Sequence, residues 1–275
     1  MRKHIFFLIR FSVFTKSKSA WAIGNKVDME VYKQNLFDRD RLLTHQAIFE
    51  KVTLPGLDSM MDAERATALV FISEELPEEF ESRLRALSEQ RTWLKIVKVR
   101  SEKALNRQID LRVAKELERF EFPICCASVR LDDDDALASD YCTVLERHMY
   151  PHDEDYCVTF PEGILSVYAQ NRYTDHYQHR QINNAQGLAM VKTLTSQEKV
   201  ESPITVFSVG NHTNVDKRYP VVMDSRQRMF IRTEHAHSDL VAHGGRERDK
   251  AKMVLLDQDD HDDLKARFAF FSVDA

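Results

Sequence analysis

The chain has 275 residues, of which 43% are hydrophobic and 30% are charged, and it contains only seven glycines and seven prolines. These values are typical of a soluble globular protein, and they exclude disordered and fibrous classes. The net charge of −5 provides no electrostatic footprint for nucleic acid and no basic anchor for a membrane surface, so a small molecule or a sugar is the expected partner.

The first residues, MRKHIFFLIRFSVF, resemble a signal peptide in combining basic residues with an apolar run. Arg10 interrupts that run after five residues, which is too short for a signal sequence or a membrane span. We therefore expect residues 5–14 to form the first core strand of a cytoplasmic protein. The four cysteines have no CxxC spacing, and we expect reduced thiols in the core.

Strand and helix patterns alternate along the first half of the chain. Apolar runs predict strands at residues 5–14, 67–73, 92–99 and 122–132, and apolar residues at helical spacing predict helices at 39–57, 77–90 and 104–120. Pro55-Gly56 is expected to end the first helix. This order predicts an α/β fold with a mostly parallel sheet and right-handed crossovers. In such sheets, ligands bind beyond the carboxyl ends of the strands.

The second half of the chain has a different pattern. Short strand-like segments occur at 156–170, 204–209 and 221–233, and an acidic-to-basic segment at 256–271 suits a helix. Neither a repeat nor a low-complexity linker interrupts the chain. We therefore expect a single domain, residues 1–275, with a more β-rich and irregular C-terminal part.

The most informative motif is RLDDDDAL, in which four aspartates, Asp132–Asp135, follow the fourth predicted strand. Adjacent carboxylates raise one another's affinity for protons and cations. Oxygen ligands of this kind suit Mg²⁺ or Mn²⁺. The alternative is a solvated loop or an N-cap for a helix beginning near Ala136. The run lacks the spacing, glycine and terminal glutamate of an EF-hand.

Four segments together resemble the bacterial putative rhamnosyltransferase family: FLIRFSVF, LVFISEELPEEFESRLRAL, RLDDDDAL and FPEG. The resemblance covers most of the chain and is strongest from Ile5 to Gly163. It implies a GT-A-like, Rossmann-like fold, with a nucleotide-sugar-binding half at 1–135 and an acceptor half at 136–275. It also implies Mn²⁺ or Mg²⁺ as cofactor, a nucleotide-sugar donor, and a glycan or other hydroxyl acceptor. Rhamnose as the transferred sugar comes only from the family's name.

The resemblance also implies roles for individual residues. Asp132 and Asp134 correspond to the usual acidic pair, with Asp132 toward ribose or metal and Asp134 on the metal, while Asp133 and Asp135 leave the register open. The candidate metal ligands are Asp132, Asp134, Asp135 and His237. The candidate residues for binding the nucleotide are Arg10, Phe11, Ser12, Arg130, Asp132 and Asp133. Arg10 could instead pair with an internal carboxylate, and Arg130 could offset the repulsion among the carboxylates.

The segment TEHAHSDL supplies the remaining candidates. His237 is expected to complete the metal shell, and the alternative is that it is an exposed loop histidine. The usual Glu-Asp base motif is not recognisable, which leaves Glu234 and Asp239 as candidate catalytic bases and the stereochemistry open. Two rival functions share the acidic motif: a metal-dependent phosphohydrolase or nucleotidyltransferase, and a non-catalytic sugar-nucleotide-binding module.

Overall fold

A seven-stranded sheet organises the protein, for which a computed structural model describes residues 1–16, 28–196, 205–238 and 252–268. Its strands are β1 (Arg2–Phe11), β2 (Ala66–Ser73), β3 (Leu94–Val99), β4 (Ile124–Asp132), β6 (Tyr156–Thr159), β9 (Ala189–Leu194) and β10 (Val221–Met223), in the order β10-β6-β9-β4-β1-β2-β3. Only β9 runs antiparallel to its neighbours, β4 and β6. The predicted mostly parallel α/β sheet is confirmed.

A second, four-stranded sheet comes entirely from the chain after β4. It contains β5 (Ala136–Leu137), β7 (Glu162–Ala169), β8 (Arg172–Arg180) and β11 (Phe230–Glu234), in the order β5-β11-β7-β8. A two-residue turn joins β7 to β8, and both of its residues, Gln170 and Asn171, have positive φ. That geometry is the hairpin turn whose twist matches the flanking strands. The predicted β-rich C-terminal part is confirmed.

Helices cover both faces of the larger sheet. They are α1 (Met29–Leu36), α2 (Arg39–Ile48), α3 (Leu54–Asp58), α4 (Glu78–Glu89), α5 (Leu105–Leu117), α6 (Tyr141–Arg147) and α7 (Gln258–Arg267). Ile5, Phe7 and Ile9 of β1 join a core cluster with α2 and α4, whereas Phe6 and Leu8 join a second cluster with α5. Successive strand residues point to opposite faces, so β1 is covered on both sides, as its continuous apolar run predicts.

One core cluster joins the N-terminal half of the chain to the C-terminal half. The first cluster contains Ile9 from β1 together with Phe230 from β11 and Leu264 from α7. The four cysteines are buried and free, as predicted. Within the described residues, every helix is too short or too polar to cross a bilayer. The single domain and its division at residue 135 stay predictions.

Two local predictions and one of the alternatives are wrong. Pro55 does not end the first helix, because a π-helical turn (Phe49–Thr53) joins α2 to α3 and places the proline in the first turn of α3, where its missing N–H is tolerated. No helix begins at Ala136, since Ala136 pairs with Ile231 as part of β5. Residues 205–209 form turns, and Val206 N–H donates to Ser128 Oγ on β4 instead of joining a sheet.

Candidate active site

The carboxyl ends of β1 and β4 bring two arginines to one aspartate. The strand register places Arg10 opposite Asp132, and Arg10 Nη2 lies 3.5 Å from Asp132 Oδ1. Arg130 Nη2 lies 3.3 Å from Asp132 Oδ2. Burial opposes ionisation of this carboxyl, but the charges of Arg130 and Arg10 outweigh it and lower the pKa of Asp132 to about 2. Asp132 is therefore an ionised carboxylate shared by two guanidinium groups.

An aromatic ring and a half-buried histidine extend this arginine cluster. The guanidinium carbons of Arg10 and Arg130 lie 4.6 and 5.6 Å from the ring centroid of Phe207, within the range of cation–π attraction. Burial, together with the positive charges of Arg130 and Arg232, lowers the pKa of His212 to about 4. Positive groups thus outnumber the one carboxylate between them, which favours binding of an anion.

The residues that follow Arg10 on β1 have partners inside the protein. Phe11 is fully buried, and its ring lies 6.0 Å from the ring of Phe49 in the core. Ser12 has a positive φ of 47°, and its hydroxyl oxygen accepts a hydrogen bond from Arg41 Nη1 at 2.9 Å. These contacts make Phe11 a core residue and place Ser12 against the helix α2. The predicted contact of both with a nucleotide stays a prediction.

Asp133 points away from the arginine cluster, toward α2. Both of its carboxylate oxygens lie 3.2 Å from Nδ1 of His45, and its carbonyl oxygen accepts a hydrogen bond from Thr53 Oγ1 at 3.0 Å. Burial raises the pKa of Asp133 to about 7, against the opposing charge of Arg41. A buried carboxylate of this kind needs a partner, and the imidazole of His45 is that partner.

Asp134 faces a second histidine. Its Oδ2 lies 3.0 Å from Nε2 of His235, and the rings of His235 and His45 are edge to face with centroids 5.0 Å apart. One ligand atom from each of His45, Asp134 and His235 lies within 4.8 Å of the other two. This is the one group of three or more metal-ligating side chains that the described residues bring this close.

Asp135 fastens the acidic loop to the second sheet. Its Oδ1 accepts the backbone N–H of Thr233 at 2.9 Å, and its Oδ2 accepts Gln186 Nε2 at 2.7 Å. Burial, and then the charge of Asp134, raises the pKa of Asp135 well above its ordinary value. Both oxygens are thus bonded to protein donors, and these bonds fix the end of β11 beside the loop.

The end of β11 opens into a cleft of about 680 Å³. Its walls come from α2, the β7–β8 turn and the residues after β11: Leu43, Thr44, Ala47, Val167, Tyr168, Ala169, Gln170, Asn171, Glu234, His235, Ala236 and His237. Glu234 and His237, two of the predicted site residues, therefore share this cleft with His235. Asp239, the other candidate base, lies outside the described residues.

Sequence reasoning selected His237, but the histidine that lies at Asp134 is His235. His237 donates its backbone N–H to His235 Nδ1 at 3.3 Å. Strand geometry was the missed signal, because β11 ends at Glu234 and His235 is the first residue beyond it. His45 was missed as well, although a histidine between Leu42 and Ile48 on the buried face of α2 is an unusual core residue.

The fold is that of a mixed α/β protein. Its charged side chains and potential metal ligands lie together beyond the carboxyl ends of parallel strands, which is where doubly wound sheets bind their ligands. The family model described as "Putative rhamnosyl transferase" matches residues 4–247. The chain therefore belongs to this family, and it is a member of a glycosyltransferase family, as its motifs predict.

Similar solved structures are distant in sequence. The chain is similar to Staphylococcus aureus TarS residues 1–349 in complex with UDP-GlcNAc, with 10% identity over 84% of this chain and 58% of that one and a TM-score of 0.39. It is also similar to a putative glucose-1-phosphate thymidylyltransferase from Bacillus anthracis in complex with a sucrose, with 9% identity over 88% and 93% of the two chains and a TM-score of 0.38. The chain thus spans less than two thirds of that TarS chain. Among curated proteins, no sequence matched significantly.

Proposed function

We propose that this protein is a metal-dependent glycosyltransferase that moves a sugar from a nucleotide-sugar donor to a hydroxyl group of an acceptor. One observation carries the proposal: the acidic loop has a cationic cluster at Asp132 on one side and a group of metal-ligating side chains at Asp134 on the other. Positive side chains and a divalent cation both stabilise the charge that develops on a nucleoside diphosphate leaving group. The family's description supports rhamnose as the sugar.

A divalent cation fits the chemistry of this donor set. Asp134 and His235 offer an oxygen and a nitrogen on one side of the loop, and both are ligand types that Mn²⁺ accepts. When bound, the ion would neutralise charge that develops on the diphosphate as the glycosidic bond breaks. Asp132 and Asp135, also candidates from the sequence, have their oxygens next to arginines or protein N–H donors. We therefore favour Asp134 as the carboxylate ligand.

The arginine cluster would bind the diphosphate of the donor. The guanidinium groups of Arg10 and Arg130 both lie over the Phe207 ring, and both form ion pairs with Asp132. A diphosphate carries more negative charge than one carboxylate, so it would compete with Asp132 for the two guanidinium groups. Phe207 would hold the arginines in position, since a ring face attracts a cation without neutralising it.

The acceptor would occupy the cleft between α2 and the β7–β8 turn. Glu234 lines this cleft beside His235, so it can accept the proton of an acceptor hydroxyl near the proposed ion. Such a base is required if the reaction inverts the anomeric centre. Asp239 remains the second candidate for this role.

The test is to incubate the purified protein with a panel of nucleotide-sugars, with and without Mn²⁺, and to measure release of nucleoside diphosphate and glycosylation of added acceptors. We expect diphosphate release to require Mn²⁺ and to be lost in Asp134→Asn, but not in the control Asp153→Asn, which alters an exposed loop carboxylate. Release of a monophosphate or of pyrophosphate would instead indicate the phosphohydrolase or nucleotidyltransferase. Binding without any turnover across the panel would indicate the non-catalytic module.

A further inference from the structure

We propose that His45 of α2 is a direct ligand of the metal ion, together with Asp134 and His235, so that two imidazole nitrogens and one carboxylate hold the ion. The acidic run alone suggests an all-carboxylate site, and His45 lies 88 residues before Asp133 in the chain. The inference rests on the proposed function in one respect, which is that this ion is the one that would act in the proposed transfer reaction.

The distances allow such a site. The ligand atoms of His45, Asp134 and His235 lie within 4.8 Å of one another. Around an ion with bonds of about 2.1 Å, neighbouring ligand atoms are roughly 3 Å apart and opposite ones about 4.2 Å. Side-chain rotations that shorten the longest distance between two ligand atoms by less than about 2 Å would therefore let all three atoms bind one ion. The three residues come from α2, the acidic loop and the turn after β11, so the ion would link three elements.

Asp133 orients the imidazole of His45. Its two carboxylate oxygens lie 3.2 Å from Nδ1, so that when Asp133 is ionised Nδ1 is the donor and the lone pair is on Nε2. A carboxylate behind the distal nitrogen is the arrangement by which proteins fix metal-binding histidines. Asp133 is itself held by Thr53, whose hydroxyl donates to the Asp133 carbonyl from the π-helical turn. Asp133 is thus a positioning residue.

His235 already shares a proton with Asp134. Its Nδ1 accepts the N–H of His237, so its Nε2 carries the hydrogen that Asp134 Oδ2 accepts at 3.0 Å. An ion bound to both residues replaces that hydrogen, and the ring proton then belongs on Nδ1. Because Nδ1 would no longer accept the His237 N–H, the turn of residues 235–238 is expected to rearrange when metal binds. Metal binding is thereby connected to one wall of the cleft.

The ligand set has a consequence for the choice of ion. Mg²⁺ prefers oxygen ligands and retains water, whereas the affinity of a site with nitrogen ligands rises along the first transition row from Mn²⁺ through Co²⁺ to Cu²⁺. A two-histidine site should therefore bind Mn²⁺ or Co²⁺ more tightly than Mg²⁺. The competing explanation is that His45 is only the buried partner of Asp133, in which case the ion contacts Asp134, His235 and water.

The experiment measures binding of Mn²⁺ to the full-length protein, without donor or acceptor. Calorimetry gives the affinity, and pulsed EPR of bound Mn²⁺ detects nitrogen hyperfine couplings from coordinated imidazoles. We expect couplings from two nitrogens in the wild type and from one in His45→Gln. We also expect His45→Gln to weaken Mn²⁺ affinity by at least about 100-fold and Asp133→Asn to weaken it by about tenfold, in line with the effect of supporting carboxylates at other metal sites.

Two further variants sharpen the comparison. His237→Gln alters a histidine in the same cleft, and His152→Gln alters an exposed one; both should keep two nitrogen couplings. Wild-type protein with fewer than two couplings, or His45→Gln with unchanged affinity and couplings, would overturn the inference. If His45→Gln fails to fold, the couplings of the wild type and of His237→Gln decide alone. Two nitrogen couplings without turnover of any nucleotide-sugar would support the metal site and refute the proposed function. Mn²⁺-dependent transfer without nitrogen couplings would support the proposed function and refute the metal site.

Discussion

Replacing Gly163 by alanine is expected to destabilise the protein through contact with one aromatic ring. Gly163 of β7 lies opposite Phe230 of β11. A Cβ at Gly163 would lie 2.4 to 2.5 Å from three atoms of the Phe230 ring, whereas carbon atoms in contact lie about 3.5 Å apart or more. The ring would have to move by about 1 Å, and Phe230 is fully buried in the core. Overpacking of this kind costs about 1–3 kcal/mol.

The same displacement would reach the candidate site. Phe230 begins the strand that ends at Glu234, and the bond from Thr233 N–H to Asp135 fixes that strand beside the acidic loop. Moving Phe230 outward therefore shifts the position of His235 relative to Asp134. We expect weaker Mn²⁺ binding by Gly163→Ala as well as a lower free energy of unfolding.

Urea unfolding provides the assay, and Gly56→Ala is the matched control. A Cβ at Gly56 would make ordinary contacts, 3.6 Å from Leu137 O and 3.8 Å from Ala136 Cβ. Because Gly56 lies in α3, alanine there should be neutral or stabilising by up to about 1 kcal/mol. Phe230→Leu should be less destabilising in the Gly163→Ala background than in the wild type, because the smaller side chain relieves the overlap. Equal stability of Gly163→Ala and the wild type would refute the reasoning.

Three further predictions concern charge. Asp132→Asn should tighten metal-free binding of a nucleoside diphosphate, measured by calorimetry, because it frees Arg10 and Arg130 from a competing carboxylate; weaker binding would indicate that Asp132 itself contacts the nucleotide. Phe207→Leu should weaken the same binding severalfold, through loss of cation–π contacts worth about 0.5–2 kcal/mol, and unchanged affinity would contradict that role. Burial lowers the pKa of His4 from 6.5 to about 4, so the unfolded chain takes up the proton first. The contribution of neutral His4 to the free energy of unfolding is complete above pH 6.5 and decreases by about 3 kcal/mol as the pH falls to 4. Between pH 7 and pH 4.5, the free energy of unfolding in urea should therefore decrease less for His4→Gln than for the wild type. Equal decreases would count against a lowered pKa of His4.

The central strands could be predicted from sequence, whereas β8, at the edge of the second sheet, could not. A strand buried on both faces needs a continuous apolar run, and β1, β2 and β4 each have one. The sequence of β8, RYTDHYQHR, is almost entirely polar. Its strand conformation depends on pairing with β7, and its inward histidine, His176, is paired with Ser166 at 2.8 Å. Such a strand is specified by tertiary contacts, which a local pattern does not contain.

The candidate site divides in the same way. Four consecutive aspartates after a buried strand are a local signal, and together with three other segments they indicate the family. The partners of those aspartates are not local: His45 comes from α2, and His235 follows β11, about one hundred residues after the run. A histidine on the buried face of a helix is an unusual core residue, but the sequence does not reveal which side chain it contacts. Its role becomes visible only when the fold places it against a carboxylate.

The acidic run is tolerated because each of its four carboxylates has a different partner. Asp132 faces two arginines, Asp133 faces His45, Asp134 faces His235, and Asp135 accepts protein N–H groups from β11 and from Gln186. Like charges at adjacent positions repel, and separate partners offset that repulsion. The four aspartates therefore contact different parts of the protein and are not equivalent metal ligands. Asp134 is half-buried, whereas Asp133 and Asp135 are buried and Asp132 is held by guanidinium groups. A substitution series across the run should therefore show four distinct effects: tighter metal-free anion binding at Asp132, loss of histidine orientation at Asp133, loss of metal affinity at Asp134 and weaker attachment of the second sheet at Asp135. A graded loss of metal affinity alone would contradict this division.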